Sequence, residues 1–486
     1  MIDGECQPGH FVKIPIQTLN RHGLIAGATG TGKTKSLQLL AEGLSANGVS
    51  SLLMDIKGDL SGLARPGSMS PKLQERISQI GSSWSPAELP VELLSLSSNQ
   101  GLRLRATVSE FGPLLLSKIL DLNDSQEGLL AMIFKYCDDQ KLPILDLQDL
   151  KKVIQYTSNE GRDEIEKSYG HISAVSSGTI LRKVIELEQQ GADEFFGEPS
   201  FDPNDLLRTD HSGKGFISIL RLTDMQDRPK LFSTFMLSLL AEIYATFPEM
   251  GDADKPKLVI FIDEAHLIFK EASKQLLDQL ETTIKLIRSK GVGIIFCTQN
   301  PQDIPAAVLS QLGLKIQHAL RAFTATDRKV IKTAAQNFPE SSYYQTDEML
   351  TSLGIGEALV TALNEKGIPT MLVATMICPP SSRMDVLDEK EISDMVKQSS
   401  LVAEYNQTLD RESAFEILNR RMQNDDDSEI TEKKQRKSEK SEQSTFEKML
   451  KSPVVRSMGV SVAGMITRSL LGSLGLKTSS RKYKRK

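Results

Sequence analysis

The chain has 486 residues, of which 25% are charged and 39% are hydrophobic, and its formal net charge is −5. This composition is typical of a globular protein with more than one domain, and it excludes an overall attraction to nucleic acid, so that DNA contacts would have to come from local basic surfaces. The four cysteines lie far apart, with no C-x-x-C pair and no neighbouring histidines that would make a zinc site, which favours a reducing cytoplasm.

The first informative stretch is GLIAGATGTGKT at residues 23–34, which fits the pattern G-x-x-x-x-G-K-[ST] from Gly27 to Thr34. An apolar run before it predicts a buried strand. After it, leucines at helical spacing predict a helix that ends near Gly48. This order of strand, glycine loop and helix is the context that a phosphate-binding loop requires.

The residue types in this loop suit the binding of nucleotide phosphates. Glycines let backbone N–H groups approach the phosphates closely, and the N-terminus of the helix adds a partial positive charge. We expect Lys33 to contact the outer phosphates and Thr34 to ligate Mg²⁺. The residues expected around the nucleotide are Gly27, Ala28, Thr29, Gly30, Thr31, Gly32, Lys33, Thr34 and Lys35.

The next apolar run predicts a strand over 49–54, followed by a loop at 55–58. Residues 66–205 contain several amphipathic patterns and are predicted to form a mainly helical insertion. The sheet is predicted to resume near residue 214 with a strand, a helix over 229–247 and the apolar strand of KLVIFIDEAH.

Two adjacent carboxylates, Asp263 and Glu264, end this last strand. Ligands of open α/β sheets bind at the carboxyl ends of the strands, so we expect Asp263 to hold Mg²⁺ there. Glu264 is expected to act as the general base that activates a water molecule. His266 is expected to be structural.

A helix over 274–291 and the strand of VGIIFCTQNP follow, and that strand brings Gln299 to the same edge of the sheet. We expect its amide to sense the terminal phosphate or to position the attacking water. Further strands are predicted in GLKIQHALRA and in a hairpin that turns at residues 365–367.

The C-terminal part changes character after residue 380. A helical extension is predicted at 381–423, a flexible charged linker at 424–445 and an apolar, glycine-containing segment with a basic end at 446–486. We expect this last segment to dock on the folded chain or to form a contact with another subunit. The alternatives are attraction of RKYKRK to a membrane surface or nucleic acid and, least favoured because of Arg468 and several serines, a membrane span.

In this order, the motifs GLIAGATGTGKT, LLMDIKGDLSGL, FIDEAH, LIRSKGVGIIFCTQNP and IQHALRA resemble the HerA and FtsK superfamily of ring-forming, DNA-pumping ATPases. Nearly the whole chain is similar to a bacterial family of proteins with a HerA-like helicase domain. The resemblance implies Lys33 and Thr34 at the phosphates, Asp263 on magnesium, Glu264 as base and Gln299 as sensor. It also implies an arginine finger, for which Arg288 is the first candidate and Arg321 the second.

The expected fold is therefore α/β, with a RecA-like P-loop ATPase core in which helices cover both faces of a mostly parallel sheet. The core is expected at 1–65 and 206–380, separated by the insertion. The expected function is Mg²⁺-dependent ATP hydrolysis by a hexameric ring that translocates or unwinds double-stranded DNA in the cytoplasm. Two alternatives are a nucleotide-regulated scaffold or assembly factor with a protein partner, and a secretion-type motor that does not act on DNA.

Overall fold

A computed structural model describes residues 1–2, 4–96, 101–223, 228–251, 253–270, 274–407, 409 and 411–423. These residues divide into two compact units. The first unit contains Met1–Leu104 and Ser200–Gln407, and the second contains Arg105–Pro199 and the described part of Thr408–Lys486. The predicted segments at 424–445 and 446–486 lie outside the described residues.

The first unit is built on a sheet of ten described strands in the order β10-β9-β8-β1-β7-β6-β2-β5-β3-β4. All neighbouring pairs are parallel except the two that involve β9, which is antiparallel to β8 and β10. The strands are β1 (Gly23–Ala26), β2 (Ser50–Asp55), β3 (Val91–Ser95), β4 (Leu102–Arg103), β5 (Ile217–Arg221), β6 (Leu258–Ile262), β7 (Val292–Thr298), β8 (Leu314–His318), β9 (Glu357–Thr361) and β10 (Val373–Met376).

The four adjacent strands β1, β7, β6 and β2 are buried along their whole length, as expected for parallel strands with both faces covered. Their register aligns the carboxyl ends. Ala26 lies opposite Thr298 on one side and Gln317 on the other, and Ile262 lies opposite Met54. The residues that follow these strands are therefore brought to one edge of the sheet, called here the carboxyl edge.

The described helices include both short turns and long amphipathic elements. In chain order they are α1 (Lys33–Ala46), α2 (Pro71–Ile80), α3 (Val108–Ile119), α4 (Asp124–Gln140), α5 (Leu147–Ser158), α6 (Arg162–Tyr169), α7 (Ala174–Gln189), α8 (Pro229–Thr246), α9 (His266–Lys270), α10 (Lys274–Ile287), α11 (Ala306–Leu309), α12 (Ala325–Ala335), α13 (Thr346–Ser352), α14 (Glu389–Gln398) and α15 (Val402–Tyr405). Residues 414–423 are also helical.

The second unit is helical, in agreement with the amphipathic patterns of the sequence. Helices α3, α4 and α5 each begin with a capping box, at Thr107, Asn123 and Asp146, where the cap side chain and the third helical residue satisfy each other's backbone N–H groups. The helix 414–423 joins this unit, because Asp149 accepts a hydrogen bond from the backbone N–H of Phe415.

The boundaries differ from the predicted ones at three places, the smallest being residues 200–205, which belong to the first unit rather than to the insertion. Residues 66–104 belong to the sheet unit, since β3 pairs with β5 and β4 pairs with β3. A five-residue apolar run such as that of β3 cannot be assigned by periodicity alone, which is why no strand was expected there. The segment 381–423 is also divided, with α14 and α15 in the first unit and 414–423 in the second.

The predicted hairpin is confirmed. Strands β9 and β10 are antiparallel, and in the turn the N–H of Asn364 donates to the carbonyl of Ile368. Among the described residues, the structure contains no helix that combines the length and the apolar character needed to cross a membrane.

Candidate functional site

The glycine loop connects β1 to α1 at the carboxyl edge of the sheet. Gly27, Gly30 and Gly32 have φ values of 153°, 77° and 115°, in the region that side chains disfavour. A Cβ atom on Gly27 would lie 2.5 Å from the Cβ of His318. Helix α1 begins at Lys33 without a side-chain cap, as expected where its first N–H groups are to bind an anion.

The other loop residues make local contacts that hold its shape. The N–H of Ala28 donates to the carbonyl of Ala319 over 2.8 Å, and the hydroxyl of Thr31 donates to the carbonyl of Ala28 over 2.7 Å. Thr29 and Gly30 are exposed at the tip. The loop is thus fixed at its base and open to solvent at its tip.

Lys33 is buried against the loop that precedes it. Its Nζ donates to the carbonyls of Gly27, over 2.7 Å, and Ala28, over 3.2 Å. Burial, and after it the positive charge of Lys57, lowers the pKa of Lys33. An anion beside this ammonium group would raise its pKa and so offset both effects, which makes the position suitable for a phosphate.

The next two residues of α1 differ in their contacts. The hydroxyl of Thr34 donates to Oδ2 of Asp59 over 3.3 Å. The ammonium group of Lys35 instead donates to the carbonyl of Met384 over 2.6 Å. Only the side chain of Thr34 is thus held by an acidic residue of the carboxyl edge, whereas that of Lys35 is engaged with the backbone near α14.

The carboxylates after β6 are buried, with Asp263 6% and Glu264 5% exposed. Burial raises the pKa of Asp263 to about 7. Within the described part of the chain, Oδ2 of Asp263 is buried without a hydrogen-bond partner. A carboxylate oxygen of this kind, together with the Thr34 hydroxyl, fits the oxygen ligands that Mg²⁺ prefers.

Glu264 lies between two basic side chains. Its Oε1 forms an ion pair with Nζ of Lys57, and its Oε2 lies 3.2 Å from Nδ1 of His266. Its φ of 47° is unusual for a residue other than glycine. Burial lowers the pKa of Lys57, but the hydrogen bond to Glu264 and the charge of Asp263 outweigh this effect, so that the net shift is upward.

The loop after β2 places Lys57 and Asp59 at this edge, and neither was predicted as a site residue. Asp55 organises the loop, since its carboxylate accepts hydrogen bonds from the N–H groups of Gly58, Asp59 and Leu60 over 2.7 to 3.1 Å. Burial raises the pKa of Asp55 to about 6. The sequence signal that could have indicated Lys57 and Asp59 is the cluster of two aspartates and a lysine at the end of the buried strand β2.

His318, the last residue of β8, was also missed. Its Nε2 lies 2.8 Å from the hydroxyl of Ser36, and its Nδ1 lies 2.9 Å from the carbonyl of Glu357. Burial lowers the pKa of His318 to about 4, so the ring is neutral at pH 7. It connects α1 to β9 directly beneath Gly27.

Three further candidates occupy two different places. Gln299 directly follows β7 and is exposed at the carboxyl edge, on the level of the glycine loop. Arg321 lies three residues beyond β8 at the same edge, where its Nη1 donates to the carbonyl of Thr351 over 3.3 Å. Arg288 lies before β7, so roughly 20 Å of strand separates it from that edge. Of the predicted site residues, the structure thus places all but Arg288 at or next to the carboxyl edge, and the ammonium group of Lys35 is directed to the backbone near α14.

This open, mostly parallel sheet, with a glycine loop between β1 and α1 and buried carboxylates after β6, has the architecture of the RecA-like P-loop ATPase fold. The chain belongs to the family described as helicase HerA-like C-terminal, whose model matches residues 3–479. The family expected from the motifs is thereby confirmed.

The chain is similar to two archaeal proteins named DNA double-strand break repair helicase HerA. It is 24% identical over 373 residues to that of Sulfolobus acidocaldarius, covering 74% of this chain and 66% of the relative. It is 23% identical over 352 residues to that of Saccharolobus solfataricus, covering 72% of this chain and 63% of the relative. The chain thus spans somewhat less than two thirds of the length of these relatives.

Solved structures of the plasmid coupling protein TrwB share the fold. The complex of TrwB with ADP and Mg²⁺ has a TM-score of 0.52 at 14% identity, covering 80% of this chain and 91% of TrwB. The complex with a non-hydrolysable ATP analogue has a TM-score of 0.51 at 14% identity, covering 78% of this chain and 93% of TrwB. The predicted RecA-like fold is confirmed by this likeness.

Proposed function

We propose that this protein is a Mg²⁺-dependent ATPase that assembles into a hexameric ring and uses hydrolysis to translocate or unwind DNA. The observation that carries the ATPase part is the pair Asp263 and Glu264, buried beside the glycine loop, with one oxygen of Asp263 lacking a hydrogen-bond partner among the described residues. Burial of an unpaired carboxylate is costly unless a cation or donor satisfies it.

In this proposal the chain binds ATP through residues 27–35. The N–H groups of the loop and of the first turn of α1 donate to phosphate oxygens, and Lys33 exchanges its carbonyl partners for the outer phosphates. Thr34 and Asp263 hold Mg²⁺, and Asp59 accepts from the Thr34 hydroxyl in the structure. When bound, Mg²⁺ neutralises charge on the phosphate oxygens.

Glu264 acts as the general base for the attacking water. Its carboxylate must be correctly oriented towards that water, and Lys57 supports this orientation by pairing with Oε1. We therefore assign Lys57 a positioning role. Gln299, on the neighbouring strand, orients the same water or senses the terminal phosphate.

The arginine finger is proposed to be Arg288, acting on the nucleotide of a neighbouring subunit. Its distance from the carboxyl edge of its own sheet supports action between subunits rather than within one. Arg321 is the second candidate, and its position at the carboxyl edge would allow it to act within its own subunit.

The DNA-related part rests on family membership and on the relatives named as DNA repair helicases. The test is to measure phosphate release by the purified chain with Mg²⁺ and ATP, in the absence and presence of double-stranded DNA. We expect hydrolysis in both conditions and faster hydrolysis with DNA. Hydrolysis that DNA does not change would refute the DNA-related part, and no hydrolysis in either condition would refute the whole proposal.

A further inference from the structure

The loop after β8 and the first turns of α12 form an exposed basic surface on a protein whose net charge is negative. Residues 321–332 read RAFTATDRKVIK, with four cations and one carboxylate. Phe323 is 89% exposed, and Arg328, Lys329 and Lys332 are exposed as well. We call Phe323, Arg328, Lys329 and Lys332 the basic surface.

The one carboxylate of this segment is used to hold the loop. Asp327 accepts hydrogen bonds from the N–H groups of Phe323, over 2.9 Å, and Thr324, over 2.8 Å. In return, the Thr324 hydroxyl accepts a hydrogen bond from the N–H of Asp327, which completes a capping box. The backbone of Phe323 is thus fixed while its ring extends into solvent.

Helical spacing separates the cations from the core. Ile331 and Ala334 are buried, and they pack in a cluster with Leu350 and other apolar residues. Arg328 and Lys332 are four residues apart, and Lys329 and Lys332 are three apart, so each pair lies close together on the helix surface. Over the part of the chain that the structure describes, none of these three cations forms an ion pair.

The basic surface lies close to the nucleotide site. Helix α12 packs against the turn Pro301–Asp303, which begins two residues after Gln299. On the other side, the chain leads from His318, beneath the glycine loop, to Phe323 in five residues. A ligand on this surface would therefore contact the segment that follows β8, and that segment packs against the turn that follows β7.

We propose that the basic surface binds the phosphate backbone of DNA, with the Phe323 ring available to stack on an unpaired base. Uncompensated exposed cations bind a polyanion by releasing its counterions, and an exposed aromatic ring on a fixed backbone suits base stacking. This inference rests on the proposed function, in which DNA is the substrate. It adds the surface through which DNA binding reaches the ATPase site.

The test uses the full chain and three variants. The first combines Arg328→Ala, Lys329→Ala and Lys332→Ala, and the second is Phe323→Ala. The matched control combines Lys72→Ala, Lys390→Ala and Lys397→Ala, which removes three exposed lysines of α2 and α14. Binding of labelled duplex and single-stranded DNA is followed by fluorescence anisotropy between about 50 and about 200 mM salt, a range over which phosphate contacts change affinity strongly.

We expect the first variant to bind DNA about tenfold or more weakly, with the slope of log affinity against log salt reduced by about 3. Phe323→Ala should weaken binding to single strands by about fivefold or more and affect duplex less. A loss of affinity for single strands without a similar loss for duplex would show that the Phe323 side chain stacks on an unpaired base. ATP hydrolysis without DNA should remain at the wild-type rate in both variants.

Two results would overturn the inference. The first variant could bind both DNA forms with unchanged affinity and salt slope, or the control could lose as much affinity as the first variant. In the first case, a change in oligomer size by light scattering would identify the surface as a contact between copies of the chain. If the wild-type chain hydrolyses ATP but binds no DNA, the DNA-related part of the proposed function fails first.

Discussion

The two edges of the central sheet differ in what they carry. The carboxyl edge collects the glycine loop, Asp59, Asp263 and Gln299, because the strands that deliver them are parallel and in register. The opposite edge carries Arg288 beside His22, whose pKa is lowered to about 4 mainly by burial and in smaller part by the charge of Arg288. In the proposed function, the carboxyl edge therefore acts on its own nucleotide, and Arg288 on the opposite edge acts on the nucleotide of a neighbouring subunit.

The largest expected effect is on the rate of ATP hydrolysis, and it tests whether Arg288 on the opposite edge takes part in the reaction. Arg288→Ala should reduce ATP hydrolysis by about 10³-fold or more, the range of an arginine finger, because charge develops on the phosphoryl oxygens during transfer. Lys285→Ala removes an exposed cation of α10 and serves as the matched control. Steady-state phosphate release should be unchanged in that control.

Mixing two inactive variants shows whether Arg288 acts on the nucleotide of a neighbouring subunit or on that of its own subunit. Arg288→Ala provides an intact Glu264, and Glu264→Gln provides an intact Arg288, so mixed rings should recover part of the activity. If the two variants co-assemble and no activity returns at any ratio, Arg288 does not act in trans. The same experiment would then be made with Arg321→Ala.

A smaller effect is expected within the carboxyl edge. Lys57→Met should lower kcat by about 10- to 100-fold, at the lower end of what general-base catalysis contributes, while KM changes little. The reason is that Glu264 would remain buried without its cation. Lys57→Arg should restore part of kcat, and Lys72→Met, on an exposed face of α2, should have no effect. A rise in KM at constant kcat would show that Lys57 contacts ATP instead of positioning Glu264.

The smallest effect concerns stability, and it compares the buried histidines of the two edges. The pKa of His318 is lowered from 6.5 to about 4 in the folded chain. The unfolded chain therefore binds the extra proton first, and the contribution of His318 to stability falls as pH drops from about 6.5 towards 4, by about 2 kcal/mol between pH 7 and pH 5.

Urea unfolding at several pH values checks this expectation. His318→Gln should remove about 2 kcal/mol of the loss between pH 7 and pH 5, and His22→Gln should do the same. The exposed His211→Gln is the matched control. Only His318→Gln should also weaken ATP binding, because only His318 packs beneath the glycine loop. A pH dependence identical to the wild type in both variants would contradict the account.

The sequence allowed prediction of those site residues that follow strongly apolar strands. Asp263 and Gln299 could be placed because β6 and β7 are continuous buried runs, and the glycine loop has a distinctive pattern. Lys57 could not be placed, since its approach to Glu264 depends on the pairing of β2 with β6, which no local pattern encodes. His318 was missed for the same reason, because its partners Ser36 and Glu357 are distant in sequence.

The same limit applies to the fold. The amphipathic helices of the second unit follow from local spacing and capping residues, and they lie close to where the sequence predicts them. Strand β3 pairs with β5, whose Ile217 lies more than a hundred residues away in sequence, and β4 pairs in turn with β3. Unit boundaries that depend on such pairings cannot be predicted from a short stretch of sequence.

The central claim is that the carboxyl edge of this sheet hydrolyses ATP through Glu264, and the most direct measurement compares nucleotide binding with turnover in one variant. Purified Glu264→Gln should bind a fluorescent ATP analogue with Mg²⁺ about as tightly as the wild type and release phosphate about 10²- to 10⁴-fold more slowly. Lys33→Ala, prepared identically, should lose binding and turnover together, because Lys33 contacts the phosphates before hydrolysis. A wild-type rate of phosphate release by Glu264→Gln would contradict the account.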